Sequence, residues 1–175
     1  LLEAMHDKHF TVRLAVIRAF EEIGSPAAGP ALAERLRDPH ALVREKSAEA
    51  LGVLRAPGAN ESLSAALRDR EPFVRRAAAE ALGELRLPFD TSALIGALED
   101  DDAFVRMAAA EALGRLGDAT AVPKLADRLN DFGGAGWEKQ RVCDIAATAL
   151  EAIGTPDAQA ALSQWRDRLA QLRQG

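Results

Sequence analysis

Tyrosine is absent from this chain, and all aromatic residues together make up only 5% of it. So few large rings argue against a sheet sandwich, whose core leans on them. Alanine fills the space instead, which points to closely packed helices. There is one cysteine, Cys143. It excludes an internal disulfide and fits a reducing compartment, so the expected location is cytoplasmic. No apolar run reaches the length of about 18 residues that a membrane span needs. Positive charge is in deficit, with 22 Lys and Arg against 27 Asp and Glu, a net charge of −5 and a pI near 5.3. That balance argues against nucleic-acid binding, whose affinity comes mainly from cations on phosphates. A signal-peptide pattern is missing, and the chain starts at Leu1 and not at Met. Leu1 falls in mid-helix by its phase, so the expectation is that residues precede it.

What is present is a repeat. Val-Arg pairs begin at 12, 43, 74 and 105, each 31 positions after the last. A fixed period of that size signals stacked supersecondary units. Leu1, Leu32, Leu63, Leu94 and Leu125 share one phase, and Met5, Leu36, Leu67, Leu98 and Leu129 share another four residues on. That i, i+4 pair marks one face of a short helix, helix A of each unit. Asp7, Asp38, Asp69, Asp100 and Asp131 follow it and read as N-caps of the next helix. Helix B then carries an amphipathic stripe, Val43, Ser47, Ala50, Leu51 and Leu54 in the second copy.

Two columns in helix B concern the joints between units. Ala19, Ala50, Ala81, Ala112 and Ala149 hold one position. Gly52, Gly83 and Gly114 hold another. Each glycine costs about 1 kcal/mol inside a helix relative to alanine, so a bare backbone is needed there for close approach. Gly24, Gly117 and Gly154 read as C-terminal stops, and Pro26, Pro57 and Pro88 lie in the turns between units.

The fifth unit is longer. Its insertion includes Gly133-Gly134-Ala135-Gly136-Trp137, and Cys143 takes the place of the repeated arginine. The glycine-rich loop lacks the Gly-Lys-Ser/Thr ending of a phosphate cradle and follows no strand. It is either an irregular insertion or a binding loop that carries Trp137. A last helix from Pro156 to about Arg173, with Leu162, Trp165, Leu169 and Leu172 as its apolar stripe, reads as a solubilising cap. The expected organisation is one domain over 1–175. Its units are about 1–25, 26–56, 57–87, 88–118 and 119–155, and the cap is 156–173.

The pattern Asp-x4-Val-Arg-x2-Ala-Ala-x-Ala-Leu-Gly-x-Leu, complete in Asp100 to Leu116, resembles the HEAT-like repeat of the phycobilin-lyase type. The resemblance implies an all-α, right-handed α-solenoid of helical hairpins. It implies that Asp7, Asp38, Asp69 and Asp100 hydrogen-bond with Arg13, Arg44, Arg75 and Arg106 in a ladder along the stack. Cys143 breaks that ladder, and Arg141 is a candidate substitute. The resemblance also implies that the second helices line the concave side. That side would then carry the columns Thr11, Leu42, Phe73, Phe104; Leu14, Glu45, Arg76, Met107, Asp144; Arg18, Glu49, Glu80, Glu111, Thr148; and Glu22, Val53, Glu84, Arg115. Phe73, Phe104 and Met107 form an apolar patch beside the carboxylates, or the two Phe residues tuck into the joints between repeats. Glu49, Glu80 and Glu111 are either a recognition ridge or a solvated face.

No catalytic constellation emerges. Proteins resembling deoxyhypusine hydroxylase hold iron through His-Glu pairs on such repeats, and no His-Glu dipeptide occurs here. His6, His9 and His40 fall in turns and are expected in solvent. Cys143 is expected to be a packed thiol. No metal or cofactor is therefore expected. The leading expectation is a non-catalytic adaptor for a protein or peptide with a basic and apolar face. Its partner-binding residues would be Leu42, Phe73, Glu49, Glu80, Glu84, Phe104, Met107, Glu111 and Trp137. A chromophore-lyase-like or other enzyme-associated subunit is the alternative.

Overall fold

A computed structural model describes residues 1–85, 89–134 and 140–172. Among them every regular element is helical. Short 3-10 turns occur at Glu3–His6, Pro26–Ala28 and Ala119–Ala121; the α-helices begin with α1 (Phe10–Ile23), α2 (Gly29–Arg35), α3 (Ala41–Val53), α4 (Asn60–Ala66) and α5 (Pro72–Glu84). Then follow α6 (Ser92–Ala97), α7 (Ala103–Leu116), α8 (Val122–Arg128), α9 (Val142–Ile153) and α10 (Pro156–Leu172). The chain is an α-solenoid. The even-numbered helices α2 to α8 are helix A and the odd-numbered ones are helix B.

Helix A has only six or seven residues in the second to fifth units, and the four-residue 3-10 turn Glu3–His6 holds its place in the first. An isolated helix that short is unstable in water, so packing holds it. The packing comes from Leu32, Leu63, Leu94 and Leu125, all essentially inaccessible. Helix B lies side by side with helix B of the next unit, α3 on α5, α5 on α7 and α7 on α9. The glycine column makes this approach possible. A Cβ at Gly52 would lie 2.8 Å from the Ala81 Cα, and one at Gly114 would lie 2.8 Å from the Ala149 Cα. Glycine of one unit therefore faces the alanine of the next.

Gly24, Gly117 and Gly154 end α1, α7 and α9 in the left-handed conformation. In the second unit Arg55 takes that role with φ 46°. The last helix caps the stack through Ala158 and Leu162, which are buried, and Trp165, which is half-buried. Leu172 is exposed and so is not part of the stripe. The helix is described only to that residue.

The aspartates are not the helix N-caps. Those are His9, His40, Glu71, Asp102 and Arg141. Asp7, Asp38, Asp69 and Asp100 stand two residues before their N-caps, Asp131 ten before Arg141, and in all five Oδ1 accepts the backbone N–H of the residue two positions on, 2.8 to 3.0 Å away. This leaves both carboxylate oxygens aimed along the stack.

Candidate functional site

Four arginines receive those carboxylates. Arg13, Arg44, Arg75 and Arg106 each donate Nε to the Oδ2 of an aspartate 25 positions later, at 2.7 Å. Nη2 donates to the Oδ1 of the same aspartate at 2.7 to 3.2 Å. Nη1 donates backwards to the carbonyl of the aspartate in its own unit. Each guanidinium thus ties two successive turns together with a planar fork. The acceptors are Asp38, Asp69, Asp100 and Asp131. Burial works against ionisation of Asp69, Asp100 and Asp131, but the guanidinium and amide hydrogen bonds outweigh it and hold these carboxyls below their ordinary value. Among the described residues the Asp7 carboxylate takes no arginine, although its carbonyl accepts Arg13 Nη1.

In the fifth unit Arg141 does not replace the missing rung. Its guanidinium sits 5.8 Å from the centre of the Phe132 ring, a cation–π distance. Cys143 is buried, and burial raises its thiol above the ordinary value of 9.0, as a packed thiol requires. The insertion leaves at Asp131 and returns by two backbone bonds, Cys143 N–H to Asp131 O and Val142 N–H to Gly133 O. Trp137 lies outside the described residues.

The outer side of the helix-B layer holds a groove of about 320 Å³ across α3, α5 and α7. Glu49, Glu80, Glu84 and Glu111 line it with Val53 and Arg115. The carboxylates do not stand alone. Lys46 pairs with Glu49 at 2.6 Å and Arg76 with Glu80 at 3.5 Å. Arg115 bridges Glu84 and Glu111, and Arg55 reaches Glu84. The face is a charge lattice in which these four carboxylates meet four cations, Lys46, Arg55, Arg76 and Arg115. At its centre, burial pushes the Glu80 carboxyl above 4.5; Arg76 opposes this, and Glu49 and Glu111 add to it.

Val53 lines the groove, and Leu42 and Phe104 stand at the starts of α3 and α7. Leu42 is 43% exposed, Phe104 44% and Val53 68%. Phe73 is half-buried, between the two readings offered by the sequence. Met107 is also half-buried, and Gly134 of the insertion lies close over its sulfur. Leu42 and Phe104 are thus exposed on the same helices as Glu49 and Glu111, while Phe73 and Met107 are partly withdrawn.

His40 is not a solvent-exposed turn residue. Its ring stacks on Phe10 with centroids 3.8 Å apart and planes 5° from parallel, and its Nδ1 is buried. Phe10 occurs once at its repeat phase, so no column announced this contact. His9 is exposed, and His6 lies 3.4 Å from Glu34. Among the described residues no three His, Cys, Asp or Glu gather as metal ligands, and no helix is long and apolar enough to cross a membrane.

A family model described as HEAT repeats matches residues 1–52, 30–96 and 60–133. A chain of the CpcE–CpcF complex of phycocyanin lyase from Nostoc sp. PCC7120 is 27% identical, with a TM-score of 0.66. The match covers 82% of this chain and 65% of the lyase chain, so this chain spans less than two thirds of that relative. An engineered protein aligns at 21% identity and TM-score 0.68, covering 94% of this chain and 84% of its own. A chain of the Kap95p complex with RanGDP aligns at 18% and TM-score 0.71, covering 97% of this chain and 27% of its own. These last two share the fold. No curated protein matches the chain in sequence.

Proposed function

Because this chain belongs to the HEAT-repeat family, we propose that it is an interaction scaffold whose helix-B face binds a protein or peptide carrying basic and apolar side chains. The observation that carries this reading is the groove across α3, α5 and α7, where four carboxylates line the walls with exposed Val53, and Leu42 and Phe104 are exposed at the starts of α3 and α7. Apolar groups rimmed by charge mark partner surfaces, and open helical stacks use such faces for binding. The raised carboxyl of Glu80 supports a cationic guest, since an ammonium or guanidinium between Glu49, Glu80 and Glu111 relieves both its burial and its like-charged neighbours.

The test is a panel of immobilised peptides that alternate Lys or Arg with Leu, beside charge-reversed controls. Wild-type protein is expected to retain the basic members and lose them with rising salt. The Glu49→Lys, Glu80→Lys, Glu111→Lys variant should bind them at least ~10-fold more weakly while keeping its helical circular dichroism. Equal retention by the variant would remove the acidic part of the reading. Loss in Phe104→Ala alone would assign the contact to the apolar flank.

A second reading rests on the likeness to the phycocyanin lyase chain, the nearest in sequence of the three likenesses described. In it, this chain is one subunit of a chromophore-lyase-like complex, and the helix-B face meets a second subunit. Mixing the protein with a bilin and a candidate acceptor protein should then shift the visible absorption. An unchanged spectrum counts against it.

A further inference from the structure

Arg37, Arg68 and Glu99 share one repeat phase, just past helix A, and Ser62, Ala93 and Lys124 share another, 25 positions on. The register sets each member of the first group across a joint from one of the second. At the joint of α6 and α8 both members are charged, and Lys124 pairs with Glu99 across it. At the two earlier joints the match is missing. A guanidinium stands on one side, and the short, uncharged Ser62 or Ala93 on the other. Grooves are left open there. One of about 290 Å³ between α2 and α4 is lined by Arg37, Ser62 and Ala65. One of about 320 Å³ between α4 and α6 is lined by Arg68, Ala93 and Gly96. Arg68 also lines the first, and a Cβ at Gly96 would meet nothing within 4 Å. Neighbouring cations are engaged, Arg35 with Glu34 and Arg70 with Glu71. Arg37 and Arg68 are exposed, and among the described residues neither pairs with a carboxylate. The carboxylates that line the two grooves, Asp69 and Asp100, are held by Arg44 and Arg75.

We propose that these two grooves on the helix-A side form a second interaction surface, for an acidic helical segment of a partner protein that carries two carboxylates about 10 Å apart, the packing distance of neighbouring helices. One carboxylate lies over Ser62 and meets Arg37, and the other lies over Ala93 and meets Arg68. Each stands where Lys124 stands in the closed joint, with the sign of the pair reversed. A guanidinium fork suits a carboxylate, and the small side chains of Ala65, Ala93 and the bare Gly96 leave room for the guest's backbone. The surface lies across the two-layer stack from the helix-B groove and takes a guest of opposite charge.

The probe is an alanine-rich helical peptide with two glutamates seven positions apart, a separation of about 10.5 Å. Fluorescence anisotropy with the full chain should show saturable binding that weakens with salt. A peptide with glutamines at both places should bind about 10-fold more weakly, and Arg37→Gln or Arg68→Gln should each cost about threefold, the scale of exposed ion pairs. Arg37→Glu with Ser62→Lys copies the Glu99–Lys124 arrangement. It should close the first groove, keep the helical circular dichroism and weaken the peptide by as much as Arg37→Gln does. Glu99→Arg with Lys124→Ser should open a third groove and tighten, about threefold, a peptide with a third glutamate seven positions on. The Glu49→Lys, Glu80→Lys, Glu111→Lys variant should bind the acidic peptide as wild type does, so failure here and failure of the helix-B reading are told apart. The proposal is overturned if the glutamate and glutamine peptides bind alike, if no saturable binding occurs, or if the Arg37 and Arg68 variants match wild type. It is equally overturned if inorganic phosphate or anionic lipid vesicles compete as well as the peptide does, which would make the arginines an unselective cationic patch.

Discussion

Arg44→Ala is expected to lower the unfolding free energy by about 3 kcal/mol or more, the usual consequence of removing one partner from a buried ion pair. In a chain of this length that corresponds to a drop in Tm on the order of 10 °C. The reason is what the change leaves behind. The Arg44 and Asp69 side chains are only 6% and 11% exposed, and Asp69 would keep a single amide donor from Glu71. The Asp38 carbonyl would lose its donor as well. Arg18→Ala is the matched control. Its pair with Glu22 lies in solvent on one helix, and its loss should cost within about 0.5 kcal/mol. The double change Arg44→Met with Asp69→Leu should be milder than Arg44→Ala alone, because apolar groups leave no charge stranded. Acid provides a further readout. Asp69 titrates below its ordinary 3.8 in the folded protein, so its contribution is present above pH 3.8 and is lost as pH falls through the lowered value. The gap between wild type and Arg44→Ala should therefore narrow in strong acid. A cost near that of Arg18→Ala would show that the ladder positions the turns without stabilising them.

Gly83→Val is expected to cost about 3 kcal/mol, at the upper end of the usual overpacking range. A Cβ there would stand 2.9 Å from both Cα and Cβ of Ala112. The Cα is backbone of a buried helix, so the conflict is relieved only by moving α7 away from α5. Gly96→Ala is the opposite experiment. Nothing lies within 4 Å of its added methyl, and the helix gains from losing glycine, so up to about 1 kcal/mol of stabilisation is expected. Thermal melts of both variants test the point by sign alone. Gly83→Val should also split the unfolding transition, because coupling between units passes through such joints. A single transition near the wild-type Tm would mean the joint opens without penalty.

The architecture was legible because it is written in columns. Leu32 and its copies gave helix A, and the paired glycine and alanine columns gave the close approach between units. The placement of the aspartates was only partly legible. Their residue type fits an N-cap, but their carboxylates serve the neighbouring unit, and a single helix start cannot show that. The helix-B face was readable as a set of positions and not as a charge pattern. Arg115 meets Glu84 31 positions away, and Arg55 meets Glu84 29 away, so the pairing depends on how far each helix is rotated. Met107 was read as exposed, since only the path of the insertion brings Gly134 over its sulfur. His40 was misread for a similar reason, because its partner Phe10 belongs to no column.

The constant 25-position reach of the ladder also governs how such a chain can change length. Arg44 and Asp100 stand 56 positions apart. Excision of one 31-residue block between them leaves 25, so Arg44 would find Asp100 where it now finds Asp69, and Gly52 would meet Ala112 where it now meets Ala81. A duplicated block would be accepted on the same terms. Gain or loss of a whole unit is thus a conservative event for this molecule, gentler than a one-residue slip within a turn. Recombination between its own near-identical segments has a ready path to longer or shorter arrays that fold at once.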